Sequence, residues 1–179
     1  MQSMSPIFEI GFVAFADVDE AGRVVDGLRE MGATHIVNDV SILEHHPNGR
    51  YSVHAYSQET SRGTHIGVGA LIGTLAGSLL FGPFGVLAGL IGGGAVGATV
   101  GGRNPHDLGL SDEFVEELRA SLPRGSSAVI IAGEPEQVDQ LMGHLRSTDA
   151  VVTKELRQPL TDAQAKAIHD AIERHQPKD

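Results

Sequence analysis

From Gly63 to Gly102 the chain carries no charged residue, and glycine recurs at a spacing of four in two runs. The first run is Gly69, Gly73 and Gly77; the second is Gly85, Gly89, Gly93, Gly97 and Gly101. On a helix this spacing lays the glycines along one slowly precessing stripe, a groove that a second backbone can approach closely. Phe81-Gly82-Pro83-Phe84-Gly85 interrupts the pattern, and Gly-Pro marks a turn. The stretch is therefore expected to form two short apolar helices folded into a hairpin.

Such a hairpin restricts its own surroundings. Leu71, Ile72, Leu75, Leu79 and Leu80 fill most of the circumference that glycine leaves on the first leg, and Val86, Leu87, Leu90, Ile91, Val96 and Val100 do so on the second. A helix apolar all round is buried in protein or in lipid. Glycine costs about 1 kcal/mol against alanine in an exposed helix interior, so the legs would not stand free in water. The remaining chain is too small to wrap both, which leaves a bilayer or the shared centre of an oligomer. Thr64 to Leu80 spans roughly 25 Å and Phe84 to Gly102 roughly 28 Å at helical rise. A hydrocarbon core of about 30 Å asks for about 20 residues per span, so insertion requires an upright pair or a thinned bilayer.

Length and charge narrow the rest. A chain of 179 residues accommodates one compact domain plus the hairpin. The expected division is one discontinuous α/β domain over 1–62 and 103–179, with 63–102 as the glycine-rich hairpin. A formal charge of −10 without Lys/Arg clusters argues against a nucleic-acid partner and against polybasic attachment to anionic lipid. There are no cysteines, hence no disulfide framework and no thiol chemistry. The segment Met1–Phe12 lacks a basic region followed by an apolar one, so no secretory leader is expected. Arg62 and Arg103 bracket the hairpin, and in a bilayer they would favour both flanks on the cytoplasmic side. The alternative location is a cytoplasmic soluble oligomer.

Elsewhere the pattern alternates strand and helix. Ile7–Phe15 reads as a strand, and Asp17 with Glu20 as a capping box opening a helix that stops at Gly32. Ile36–His46 and Arg50–Ser57 read as strands joined at Asn48-Gly49 by a type I′ turn. Ser111 is the expected N-cap of an amphipathic helix with Leu110, Phe114, Val115, Leu118 and Leu122 on one stripe. Ser127–Ala132 is a buried strand, Pro135 opens a helix, Val151–Leu156 is a fifth strand, and Thr161 with Gln164 opens a last helix. Strand–helix–strand thus occurs twice, and two βαβ halves sharing one antiparallel sheet give an α+β, ferredoxin-like arrangement.

The chain resembles a bacterial family of uncharacterised predicted membrane proteins, domain of unknown function 1269. The resemblance is carried by the Gly69–Gly101 zipper with Phe81-Gly82-Pro83, by LGLSDEFVEELRASLPRGSSAVIIAGE from Leu108 to Glu134, and by VVTKEL near the end. It implies membrane association and brings no catalytic residues with it.

Little of the sequence points to chemistry. With Asn48 and Gly49 as the only loop residues, His45 pairs with Ser52 and Leu43 with His54. That register sets His45 and His54 diagonally on one sheet face, about 7 Å apart, together with Asp39, Ser41 and Tyr56. A metal bridging His45 and His54 would lack the third and fourth ligands that zinc normally takes, so they more readily belong to a solvated or subunit-facing sheet. His65 reads as a capping or interfacial residue. Gly92-Gly93-Gly94 is followed by no lysine and reads as close helix packing, and Gly125-Ser126-Ser127 reads as a turn. No enzyme, catalytic residue or cofactor is expected. Two readings remain: a membrane-associated structural or stress protein displayed on the hairpin, and a soluble homo-oligomer with hairpins packed centrally, binding a small ligand or metal.

Overall fold

The computed structural model describes residues 8–33, 39–57 and 111–160. Within them the elements are β1 (Phe8–Phe15), α1 (Glu20–Glu30), β2 (Asp39–His45), β3 (Tyr51–Ser57), α2 (Asp112–Ala120), β4 (Ser126–Gly133), α3 (Pro135–Arg146) and β5 (Val152–Leu160). The five strands form one sheet in the order β3-β2-β4-β1-β5, and each neighbouring pair is antiparallel. The fold is therefore α+β. The expected hairpin over 63–102 and the helix opened by Thr161 lie outside the described residues.

Strand alternation divides the core into two layers. Ile10, Phe12, Ala14, Leu43, Ala128, Ile130 and Ala132 face Phe114, Leu118 and Leu122 from α2 and its C-terminal turn. Val13, Phe15, Val40, Ile42, Val129 and Ile131 face the apolar stripes of α1 (Ala21, Val24, Val25, Leu28) and α3 (Val138, Leu141, Met142, Leu145). β4 lies between β1 and β2 and is buried at every position, which is why its middle, Ala128–Ala132, is a continuous apolar run. α3 crosses β1 at Gly11, where a Cβ would meet Val138 Cγ1 at 2.9 Å and Met142 Sδ at 3.2 Å, so the absent side chain permits the close approach.

The helix starts depend on polar partners. The Ser111 hydroxyl accepts from Phe114 N at 3.2 Å, as its N-cap position predicts. Gln137 reaches back to accept from Glu134 N at 3.2 Å at the start of α3. At α1 the expected box is replaced. Asp17 accepts from Asp19 N at 2.9 Å, while Glu20 pairs with Arg23. Ser127 of β4 donates to Asp17 O at 2.6 Å and accepts from Ala21 N at 3.0 Å, so a strand hydroxyl holds the first turn of α1.

The β2–β3 turn differs from expectation. Gly49 N donates to His46 O at 2.9 Å and His46 N to Arg50 O at 2.8 Å, which leaves Pro47, Asn48 and Gly49 in the loop. Gly49 has φ +83° and no non-glycine residue among those described has positive φ, so the turn is not type I′. Proline's fixed φ suits the first central position of a type I turn, followed here by a left-handed glycine. The extra loop residue shifts the register by one: His45 pairs with Tyr51, Leu43 with Val53 and Ile42 with His54.

The strand rows also locate the ends of the undescribed stretch 58–110. Ser57 pairs with Asp39, Asp39 with Ala132, Ala132 with Ile10 and Ile10 with Gln158. Ser111, at the start of α2, donates to Gln158 Oε1 at 3.1 Å. The chain therefore leaves and rejoins the described residues at the same end of the sheet, on one row, at opposite edges.

Candidate functional site

A one-residue shift exchanges sheet faces, so His45 and His54 stand on opposite sides of the sheet and not diagonally on one. His45 is buried on the α2 side. Its Nδ1 lies 2.8 Å from the Leu122 carbonyl, which can only accept, so Nδ1 carries a proton and donates. The ring stacks on Tyr51 with centroids 3.9 Å apart. Gly125 N donates to His45 O at 2.6 Å. His45 thereby ties the turn after α2 to the hairpin. Burial raises the Tyr51 phenol above the ordinary tyrosine range, against the lowering influence of Arg124 and Arg119.

His54 shares the other face with Glu44, Ser52 and, beyond the strand end, His46. Glu44 Oε2 lies 3.4 Å from His46 Nε2 and 3.5 Å from His54 Nε2, and His46 Nε2 is 2.7 Å from Ser52 Oγ. The Glu44 side chain is 15% exposed and that of His54 52%, so this is a half-open polar edge. Among the described residues no three His, Cys, Asp or Glu side chains group in a way that could hold a metal ion.

At the opposite sheet edge Arg157 on β5 forks onto Glu9 on β1, Nε to Oε1 at 2.6 Å and Nη2 to Oε2 at 2.7 Å, and its third nitrogen meets Asp139 of α3. The Glu9 and Asp139 carboxylates raise the Arg157 guanidinium further above its ordinary range. Beside it Arg146 of α3 forks onto Glu155 at 2.8 and 2.7 Å, and this hydrogen-bonded pairing lowers the Glu155 carboxyl. The first fork ties β5 to β1, with the Asp139 contact reaching α3, and the second clamps α3 to β5. The Glu9–Arg157 fork is not legible in the sequence, since its partners are 148 residues apart.

Among the described residues, two hollows stand out at the surface. One of about 240 Å³ lies between α1 and the α3–β5 turn, lined by Val24, Gly27, Leu28, Met31 and Ala150 with Arg23 and Asp149 at its rim. The other, about 400 Å³, lies at the β2–β3 turn end of the sheet and includes Ser121, Ser126 and Lys154. Its serines donate to backbone carbonyls, Ser121 to Glu117 O at 2.6 Å and Ser126 to Pro123 O at 2.5 Å, and Lys154 pairs with Glu117 at 3.7 Å. These three side chains are thus engaged in holding the fold.

The packing glycines Gly69, Gly73, Gly77, Gly85, Gly89, Gly93, Gly97 and Gly101 lie outside the described residues. Among the described residues no helix is long and apolar enough to cross a membrane. Neither the curated proteins nor the solved structures contain a match to this chain. Residues 67–173, more than half of the chain, match the family described as "Protein of unknown function (DUF1269)", and the chain belongs to that family.

Proposed function

We propose that this protein is a non-enzymatic, membrane-associated structural or stress-type protein that self-associates through a glycine-striped helical hairpin and displays an α+β domain on the cytoplasmic side. One observation carries this reading: an uncharged stretch with two runs of glycine at a spacing of four lies in the chain between Ser57 and Ser111, and Ser57 shares a sheet row with Gln158, the partner of Ser111. Without side chains at Gly85, Gly89, Gly93 and Gly97, a neighbouring backbone can reach contact and gain dispersion and weak Cα–H···O interactions. The partners in this reading are further copies of the chain and membrane lipid, with no nucleic acid and no cofactor. The domain itself is read as ferredoxin-like. The strand order β2-β4-β1-β5, with α1 and α3 crossing on one face, supports two interlocked βαβ halves to which β3 adds an edge.

The test has two parts. Carbonate-resistant pelleting with membranes is expected, and a single soluble high-mass peak would instead support the alternative, a soluble homo-oligomer with hairpins packed centrally. The short legs, roughly 25 and 28 Å, favour that alternative. Gly89→Ile and Gly93→Ile fill the groove, and both are expected to lower the oligomer mass in mild detergent. Simple hydrophobic association predicts the reverse, because the added apolar area strengthens burial by about 25 cal/mol per Å². Unchanged or larger assemblies in both variants would defeat the stripe.

A further inference from the structure

The two edges of the sheet are built differently. β5 carries Lys154, Glu155, Arg157 and Pro159 along its length, and its register against β1 shifts at Ala14/Phe15. Charges, irregularity and a residue without an N–H are the features that keep an edge strand from pairing with another chain. β3, sequence YSVHAYS, has no Asp, Glu, Lys, Arg, proline or glycine and keeps an unbroken register with β2 over all its length. Among the described residues no strand lies beyond it.

The turn fixes which backbone groups of β3 face outward. His46 N bonds to Arg50 O, so by antiparallel alternation the backbone groups of Ser52 and His54 face β2. Gly125 N bonding to His45 O agrees, because it sends the intervening β2 residues toward β4. The N–H and C=O of Val53 and Ala55 consequently point away from the sheet.

We propose that β3 is an interface for a second copy of this chain: two β3 strands pair antiparallel about a two-fold axis at His54, with Val53 of each copy bonded to Ala55 of the other. A two-fold interface must be self-complementary, and an uncharged, regular strand meets that requirement where β5 does not. His54 is the midpoint of Tyr51–Ser57, so centring the axis there is the arrangement that overlaps the whole strand. It also makes His54 opposite His54 a pair without direct hydrogen bonds, the closer of the two antiparallel kinds, with Cα atoms about 4.5 Å apart. This contact is separate from the glycine stripe and does not rest on it. The axis stands perpendicular to the sheet, so Ser57 of one copy and Ser57 of the other lie at opposite ends of the joined sheet.

The absence of native cysteine makes the test direct. Single-cysteine variants of the full chain, His54→Cys, Ser52→Cys and Thr153→Cys, are oxidised with copper phenanthroline and the disulfide-linked dimer is followed over time. Two cysteines at position 54 fall within disulfide range, whereas two at position 52 sit about 13 Å apart along the strands, and Thr153 reports collisions at the β5 edge. The expected result is crosslinking at least tenfold faster for His54→Cys than for either control, retained when Gly93→Ile is added. Equal rates at the three positions would overturn the pairing. Loss of the crosslink with Gly93→Ile would overturn β3 as a contact in its own right. Smaller assemblies with the crosslink intact would support both contacts, and unchanged assemblies with it intact would leave β3 pairing standing while defeating the stripe.

Discussion

Excising residues 64–102, with 58–63 and 103–110 kept as the tether, is expected to leave a folded α/β domain that is slightly more stable than its parent. Ser57 and Gln158 sit on one row at opposite edges of five strands, which places them about 19 Å apart at ordinary strand spacing. A random coil of about 14 residues has a root-mean-square span of about 21 Å, so a tether of that length can close the gap without stretching. Counted as flexible loops, connections of about 53 and about 14 residues differ in closure cost by about 1.2 kcal/mol, which is the ceiling on the gain because a hairpin folded within the longer one already shortens its effective length. With the slopes usual for small proteins, that ceiling corresponds to a urea midpoint raised by about 0.4–1 M. Far-ultraviolet circular dichroism and urea titration of both proteins in the same buffer provide the assay. A random-coil spectrum, or a midpoint lowered by more than about 1 M, would refute the reasoning, because 64–102 would then be completing the core and not interrupting it.

Gly11→Ala forces a Cβ against Val138 and Met142 and is expected to cost about 1–3 kcal/mol, read by chemical denaturation. Gly143→Ala on α3 meets nothing within 4 Å and should instead gain about 0.5–1 kcal/mol. The folded Glu155 carboxyl lies below its ordinary value through Arg146, so this pair stabilises above the unfolded glutamate pKa and the contribution is lost as pH falls through the folded one. Arg146→Ala should remove less than about 1 kcal/mol of that acid-side loss, since both side chains are partly exposed. The Tyr51 phenol is raised, so its contribution is complete below the ordinary tyrosine value of about 10 and is lost as pH rises through the folded one. Spectrophotometric titration against Tyr51→Phe should therefore show the late-titrating tyrosine missing. Calorimetry with zinc is expected to show no sub-micromolar binding dependent on His45 and His54, whose pairing register sets them on opposite faces.

Much of the architecture was readable because its signals are local. SAVIIA (Ser127–Ala132) reads as a buried strand and occupies the centre of the sheet within β4, and the 3.6-residue stripes of α1, α2 and α3 face the two cores. The Ser111 cap was readable for the same reason, since donor and acceptor lie three residues apart. The β2–β3 register was not. Asn-Gly taken alone points to a two-residue loop, whereas Pro47 at the first central position selects a longer one, and a one-residue difference moves His54 to the other face. β5 runs on to Leu160 through Pro159, which the sequence argues against and an outer strand tolerates. The Glu9–Arg157 fork left no trace in spacing, because only the sheet brings those two residues together.

The central position of β4 has a consequence in time. β1 and β2 hydrogen-bond on either side of β4, not to each other, and β4 begins about 70 residues after β3 ends. At translation rates of about 5–20 residues per second, roughly 3–14 s separate the synthesis of Ser57 from that of Ser126. Within that interval the ribosome completes the glycine-rich apolar stretch before it makes the strand that knits its host together. Whatever receives residues 63–102, they are offered to it by a nascent chain whose sheet has not yet closed.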